Sequence, residues 1–191
     1  MLFAGVLAAQ TVSYDIRPAE GSWFALEVFK SKLWEGRKHT LLYSRYHGSL
    51  RFDAEHPEQS SVRFALESAS VRCVDDWVKP SQIPDIEKAA RQTMAADKYP
   101  EITFQSTTIT LKAPNQYEVR GTLTVRGVGK PVTLQVAAAP QNGAIRIRGS
   151  GQIKLSDYGL KAPTGAVGLF IGTKDAMNVT FDVTASASPG A

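Results

Sequence analysis

The chain has 191 residues, 43% hydrophobic and 21% charged, which is ordinary for a globular domain and excludes both disorder and a fibrous repeat. Its length suits one domain with one sizeable core, read here over 1–191. The formal net charge of +4 is spread thinly, with no basic run longer than GRKH at 36–39, so nucleic acid is not an expected partner. Cys73 is the single cysteine, which rules out an internal disulfide and a cysteine metal cluster and leaves a small hydrophobe in a strand.

The first ten residues, MLFAGVLAAQ, are apolar with small residues towards their end. They read as a partial export signal lacking a basic start, or as a first strand. No stretch approaches about 18 uninterrupted apolar residues, so no transmembrane helix is expected.

From there the dominant period is two, the mark of strands with one wet and one buried face. WFALEVFK at 23–30 places Phe24, Leu26 and Val28 on one side, and LLYSRYHGSLRF at 41–52 reads as a strand with Leu42, Tyr46 and Leu50 inward. In SSVRFALESASVRC the set Val62, Phe64 and Leu66 alternates with Arg63 and Glu67. PSQIPDIEKAARQTMAADK then changes the period. Ile83, Ile86, Ala90 and Met94 recur every three to four residues, Pro84 suits a first turn, and Asp85 and Glu87 suit the N-terminal end. The spacing predicts a helix over 82–96, its stripe turned inward and Pro100 helping to end it.

Alternation resumes in YPEITFQST, where Ile102 and Phe104 share a face with Ser106. It continues in YEVRGTLTVRG with Tyr117, Val119, Leu123 and Val125, in PVTLQVAAA, in AIRIRGSGQIKL, and in MNVTFDVTA with Phe181 at its centre. Turn signals at 53–60, 113–115, 127–131 and 140–143 separate the runs by gaps too short for parallel crossovers. About eight antiparallel strands in one domain form a sandwich or barrel. Ser44, Gly48, Ser106, Gly121, Gly149 and Gly151 fall on the inward frame and leave room or permit bending. The glycine-rich stretch 157–175 has no phosphate-cradling spacing and reads as a long loop across one end.

Catalytic patterns are wanting. His39, His47 and His56 form no HExxH or HxH spacing; His56 sits in a turn, His47 faces water, and His39 is a capping group or a polar group at a pocket rim. Asp75 and Asp76 are adjacent, so in an extended strand they point to opposite faces. Ser156 and Asp157 are turn residues without a GxSxG elbow. No catalytic residue, metal or cofactor is expected.

Several stretches together resemble the YceI-like family, named for polyisoprenoid binding: GSLRFD at 48–53, YPEITFQST at 99–107, VRGTLTVRGVGKPVTL at 119–134, IKLSDYGLK at 153–161 and IGTKDAMNVTFDV at 171–183. They follow the family's order and span most of the chain. The stretch before Gly48, KLWEGRKHTLLYSRYHG, departs from the usual family opening and leaves the ligand open. The resemblance implies an all-β, extended, eight-stranded antiparallel lipocalin-like barrel with one short helix. It further implies an elongated apolar cavity for a long-chain lipid such as a polyisoprenoid, an isoprenoid quinone or a fatty acid derivative, and residence in the periplasm. Oligomeric state, a homodimer included, is left open.

In such a barrel the ligand wall comes from Phe24, Leu26, Val28, Leu42 and Tyr46 on the early strands, Phe64 and Phe104 in the middle, and Leu123 and Phe181 late in the chain. Met94 would cover one end and His39 would stand at the rim. A non-enzymatic carrier is therefore expected. The rival readings are a surface interaction module using Arg120, Arg126, Arg146 and Arg148, and an enzyme using His39 or the Asp75 and Asp76 pair.

Overall fold

A computed structural model describes residues 11–31, 36–161 and 173–188. Residues 1–10, and with them the choice between signal and strand, lie outside the described residues, as does most of the glycine-rich stretch. Eleven strands and one α-helix are described. In chain order they are β1 (Val12–Ile16), β2 (Trp23–Lys30), β3 (Lys38–Tyr43), β4 (Tyr46–Phe52), β5 (Ser61–Glu67) and β6 (Val71–Cys73), then α1 (Ile83–Met94). After the helix come β7 (Glu101–Ala113), β8 (Gln116–Val125), β9 (Val128–Gln141), β10 (Ala144–Lys154) and β11 (Thr173–Ala187).

Every pairing is antiparallel, and β1, β4, β5, β7, β8, β9, β10 and β11 close into an eight-stranded ring. Closure depends on the length of β11. Its N-terminal part pairs with β2 through Asp182, and its last residues pair with β1 through Tyr14↔Ala187 and Ile16↔Ala185. From β2 the sheet continues as an extension, β2–β3–β6, beyond the ring. Helix α1 seats beside β6, its Glu87 accepting hydrogen bonds from the Cys73 backbone N–H and the Arg72 guanidinium.

The helix follows its sequence stripe: Ile86, Ala90 and Met94 are buried and Pro84 occupies the first turn. Its end differs from expectation. Ala95 adopts a left-handed conformation at φ 46°, and the N–H groups of Ala95 and Ala96 donate back to the carbonyls of Gln92 and Arg91. That reverse-turn cap completes the helix at Met94, and Pro100 only opens the next strand.

Two sequence readings shift by their turn chemistry. The β8–β9 turn is Arg126–Gly127, both at positive φ, so Val128 already belongs to β9. The β9–β10 turn uses Asn142–Gly143 in the same way, as suits two-residue hairpins between right-twisted strands. The run 41–52 breaks at Ser44 and Arg45. The Ser44 hydroxyl donates to the Ser70 carbonyl at 3.1 Å, and the Ser70 hydroxyl accepts from the Arg45 N–H at 3.2 Å. The chain turns there and the alternation changes frame, so Leu41 and Tyr43 are buried before the break and Tyr46 and Leu50 after it.

Inside the ring, glycines act as seats for phenylalanine rings. A Cβ at Gly149 would stand 2.3 Å from Phe181 Cζ, one at Gly48 would stand 2.9 Å from Phe64 Cδ2, and one at Gly121 would stand 2.5 Å from Phe104 Cζ. The room these glycines provide is therefore occupied by rings. The small residues expected beside them behave differently: Ser44 is exposed, and the Ser106 hydroxyl accepts from the Val62 N–H at 2.9 Å.

Two expectations follow for stability. Gly121→Ala pushes a methyl group against the Gln105 carbonyl at 2.4 Å, which is backbone and cannot swing aside, and lowers unfolding free energy by about 1–3 kcal/mol in urea denaturation. Ala95→Gly removes the left-handed penalty at the helix end at some cost in chain entropy and raises stability by roughly 0.5–1 kcal/mol in the same assay.

Candidate functional site

Inward side chains from the ring enclose an apolar lumen. Its larger part is a cavity of about 130 Å3 walled by residues of the ring strands and by Phe24 of β2. A smaller cavity of about 60 Å3 lies towards α1 and the 3-10 turn Ser156–Tyr158, with Met94, Tyr158 and Leu160 in its wall. The two share Phe24, Leu66, Ile102, Leu123, Ile153 and Val179. Inward aliphatics such as Leu26, Leu66, Leu123 and Leu134 are only half-buried, because part of their surface faces unfilled space.

Phe24 divides this space. Its ring stacks on Phe64 at 4.1 Å between centroids and on Phe181 at 5.0 Å, and meets the edge of Tyr46 at 5.3 Å. Side chains from β2, β5, β11 and β4 thus converge on one aromatic cluster. Offset and edge contacts of this kind each add about 0.5–1.5 kcal/mol beyond burial.

Of the residues singled out from the sequence, Phe24, Leu26, Phe64, Met94, Phe104, Leu123 and Phe181 line one or both cavities. Val28 is 3% exposed and lines neither. Tyr46 is buried against Phe24 rather than in the cavity wall. Leu42 stands on the opposite face from Leu41 and Tyr43, a consequence of the frame change at Ser44 and Arg45.

His39 is fully buried and lines neither cavity, so its place is the core and not a rim. Its Nδ1 lies 2.5 Å from Asp75 Oδ2, while the other Asp75 oxygen accepts from the Thr40 N–H at 2.7 Å. The Cys73 thiol donates to Asp75 at 3.3 Å, and the Trp77 ring lies 4.9 Å from the imidazole. Burial pushes the Asp75 carboxyl up, but the hydrogen bonds from His39, Thr40 and Cys73 outweigh it and hold the group below the usual carboxylate range. Burial pushes the Cys73 thiol up to about 12. Burial also lowers the Lys30 ammonium, an effect partly offset by the charge of Asp75. Asp76 is exposed, as adjacent residues in extended backbone require.

Nitrogen, sulfur and carboxylate donors of His39, Cys73 and Asp75 lie within 4.8 Å of one another, a donor set that zinc accepts. Their arrangement is that of a hydrogen-bonded cluster around the Asp75 carboxylate. Ligands about 2.0–2.2 Å from a tetrahedral ion stand more than about 3 Å apart, wider than the 2.5 Å between Nδ1 and Oδ2. The nearby Lys30 ammonium also disfavours a further cation.

Sequence reasoning missed Tyr117, Ile153 and Tyr158 as wall residues. Tyr117 and Ile153 stood on inward frames, but Tyr158 follows a turn and has no alternation to mark it. Its signal is Gly159, whose φ of 66° ends the 3-10 turn that places the ring in the wall.

An eight-stranded antiparallel ring with an unfilled apolar lumen defines a class of barrel wide enough for one small ligand. The chain belongs to the YceI-like domain family, which matches residues 14–185. Relatives include a UPF0312 protein of Photorhabdus laumondii, 31% identical over 129 residues, and protein YceI of Escherichia coli O157:H7, 30% identical over 129 residues. Each match covers 64% of this chain and 64% of the relative, so the chain matches slightly under two thirds of their length. The fold is similar to Burkholderia cenocepacia BcnA, with a TM-score of 0.68 and 20% identity over 85% of this chain and 96% of that one. It is also similar to the Campylobacter jejuni YCEI protein, with a TM-score of 0.66 and 22% identity over 84% and 91% of the two chains. No described helix is long and apolar enough to cross a membrane.

Asp75→Ala removes the buried carboxylate that bonds His39, the Thr40 N–H and the Cys73 thiol, and lowers unfolding free energy by about 3–5 kcal/mol in chemical denaturation. The Asp75 carboxyl titrates lower folded than unfolded, so its stabilisation is present above the ordinary aspartate value near 3.9 and is lost as pH falls through the lowered folded value. Asp75→Asn therefore flattens the acid limb of the stability profile.

Proposed function

We propose that the protein binds and carries a long-chain amphiphilic lipid in the barrel lumen without transforming it. Candidates are a polyisoprenoid, an isoprenoid quinone or a fatty acid derivative, met in the periplasm. The carrying observation is the lumen itself: inward aliphatic and aromatic side chains that leave unfilled apolar space between them. Such a wall gives up about 0.8 kcal/mol for each methylene it removes from water, so a chain gains affinity by length alone. Membership of the YceI-like family supports the same reading.

At about 130 Å3 the larger cavity holds roughly one ring-sized apolar group as it stands. A longer chain fits when the shared side chains, Phe24 and Leu123 foremost, swing to join the two cavities. The rival readings draw less support. Arg120 pairs with Glu118, and Arg146 and Arg148 share Asp182, so three of the four arginines of the interaction reading are held in surface ion pairs instead of standing as free positive charges. The His39–Asp75 pair lies outside both cavity linings, away from a lumen substrate.

Leu123→Trp tests the carrier reading, because Leu123 lines both cavities and the larger ring fills the passage between them. Uptake of a fluorescent long-chain lipid is expected to fall at least about tenfold, with an unchanged far-ultraviolet circular dichroism spectrum. Undiminished uptake by the folded variant, or no copurifying lipid in native mass spectrometry of the wild type together with no uptake, removes the lumen as the binding site.

A further inference from the structure

The inward frames do not stop where the larger cavity ends. Ile16, Leu50, Ala138 and Ile147 stand in its wall, and two residues nearer the β9–β10 turn the same strands present Tyr14, Phe52, Pro140 and Ile145 to a recess of about 340 Å3 at the rim. Val12 and Ala54 complete its outer wall. Phe52 belongs to both walls, and its ring meets Tyr117 edge-on at 6.0 Å between centroids, so it stands where the lumen meets the recess. We propose that this rim recess is the headgroup subsite of the lumen: it takes an uncharged, oxygen-bearing head, such as an alcohol, a quinone or an ester, while the hydrocarbon chain runs past Phe52 into the larger cavity. This assignment rests on the carrier reading and adds where the ligand's head lies and what charge it bears.

Three observations specify the chemistry. The lumen walls are aliphatic and aromatic, so a head drawn inside gives up its water with no hydrogen bond to replace it, and the head stays at the end where polar groups are within reach. The recess supplies them: Tyr14 is only half-buried, and Gln141 and Asn142 at the β9–β10 turn are exposed on its border, so hydroxyl and amide groups stand beside apolar surface from Val12, Phe52 and Pro140. Among the described residues no lysine, arginine, histidine, aspartate or glutamate lines the recess, so neither an anionic nor a cationic head meets a counter-charge. An anionic head faces a further obstacle. Asp53 lies in the chain between Phe52 and Ala54 and is buried, its carboxyl accepting from the Glu55 and His56 N–H groups, so a carboxylate or phosphate in the recess stands close to like charge.

The test uses the full chain and three probes with the same hydrocarbon chain: a straight-chain alkane, its primary alcohol and its carboxylate. Each displaces a lumen-bound fluorophore at neutral pH from wild type, Ala54→Lys and Ala54→Trp. Ala54 is exposed beyond the end of β4 and lines the recess but neither lumen cavity, so both substitutions change the recess alone. Wild type is expected to bind the alcohol at least about threefold more tightly than the carboxylate. In Ala54→Lys the carboxylate tightens about three- to fivefold, a gain that fades in high salt, while the alkane is unchanged. In Ala54→Trp the alcohol weakens at least about threefold, again with the alkane unchanged. A wild-type preference for the carboxylate, a carboxylate affinity indifferent to Ala54→Lys, or an Ala54→Trp effect that is absent or equal for alcohol and alkane overturns the rim subsite while leaving the carrier intact. Failure of wild type to bind any of the three overturns the carrier reading and the subsite with it.

Discussion

The barrel exists because β11 serves three neighbours. One edge of the strand bonds β10 along eleven register pairs, and the other is divided between β2 and β1. A strand of ordinary length, about five or six residues, could serve one of these partners but not both. The fifteen residues of β11 let one edge carry the extension sheet and then close the ring. Closure leaves the ring without a free edge and turns every second side chain inward at once. The lumen and its aromatic divider, with Phe24 opposite Phe181 across β2 and β11, follow from that shared edge.

Much of this was legible in the letters. Strict alternation on β5, β8, β10 and β11 fixes which side chains point inward, and the three-to-four spacing of Ile83, Ile86, Ala90 and Met94 fixes the helix and its face. Eight ring strands and one helix could be read from period and turn chemistry together with the family motifs. Other features depend on distant partners and leave no local mark. The frame change that turns Leu42 outward is held by Ser70, and His39 meets Asp75 because β3 pairs with β6. The inward glycines were visible, but not the rings that occupy them. A cavity is the difference between a wall and its filling, so it is a property of the whole ring and not of any window of sequence.

The structure also separates its polar groups from its empty space. His39, Cys73 and Asp75 lie on β3, on β6 and just after it, in the extension sheet, bonded among themselves and packed under Trp77. The Trp77 indole N–H donates to the Lys38 carbonyl, and Arg37 lies over its ring, so the cluster is roofed by the same strand that supplies His39. Buried charge strengthens when water is excluded and becomes costly when a partner is lost. Keeping these groups out of the cavity linings leaves a lumen walled by aliphatic and aromatic side chains.

The closing seam has a further consequence for motion. Around the ring, β10 and β11 share eleven register pairs and β8 and β9 share ten, whereas β1 and β11 share three. It is also the pairing that joins the two most distant parts of the described chain, Tyr14 and Ala187. Local opening is drawn from regions held by few bonds, with a free energy far below that of global unfolding. The ring thus has one weak stave: a gap between β1 and β11 breaks three register pairs, leaves the long hairpins intact, and exposes the lumen from the side.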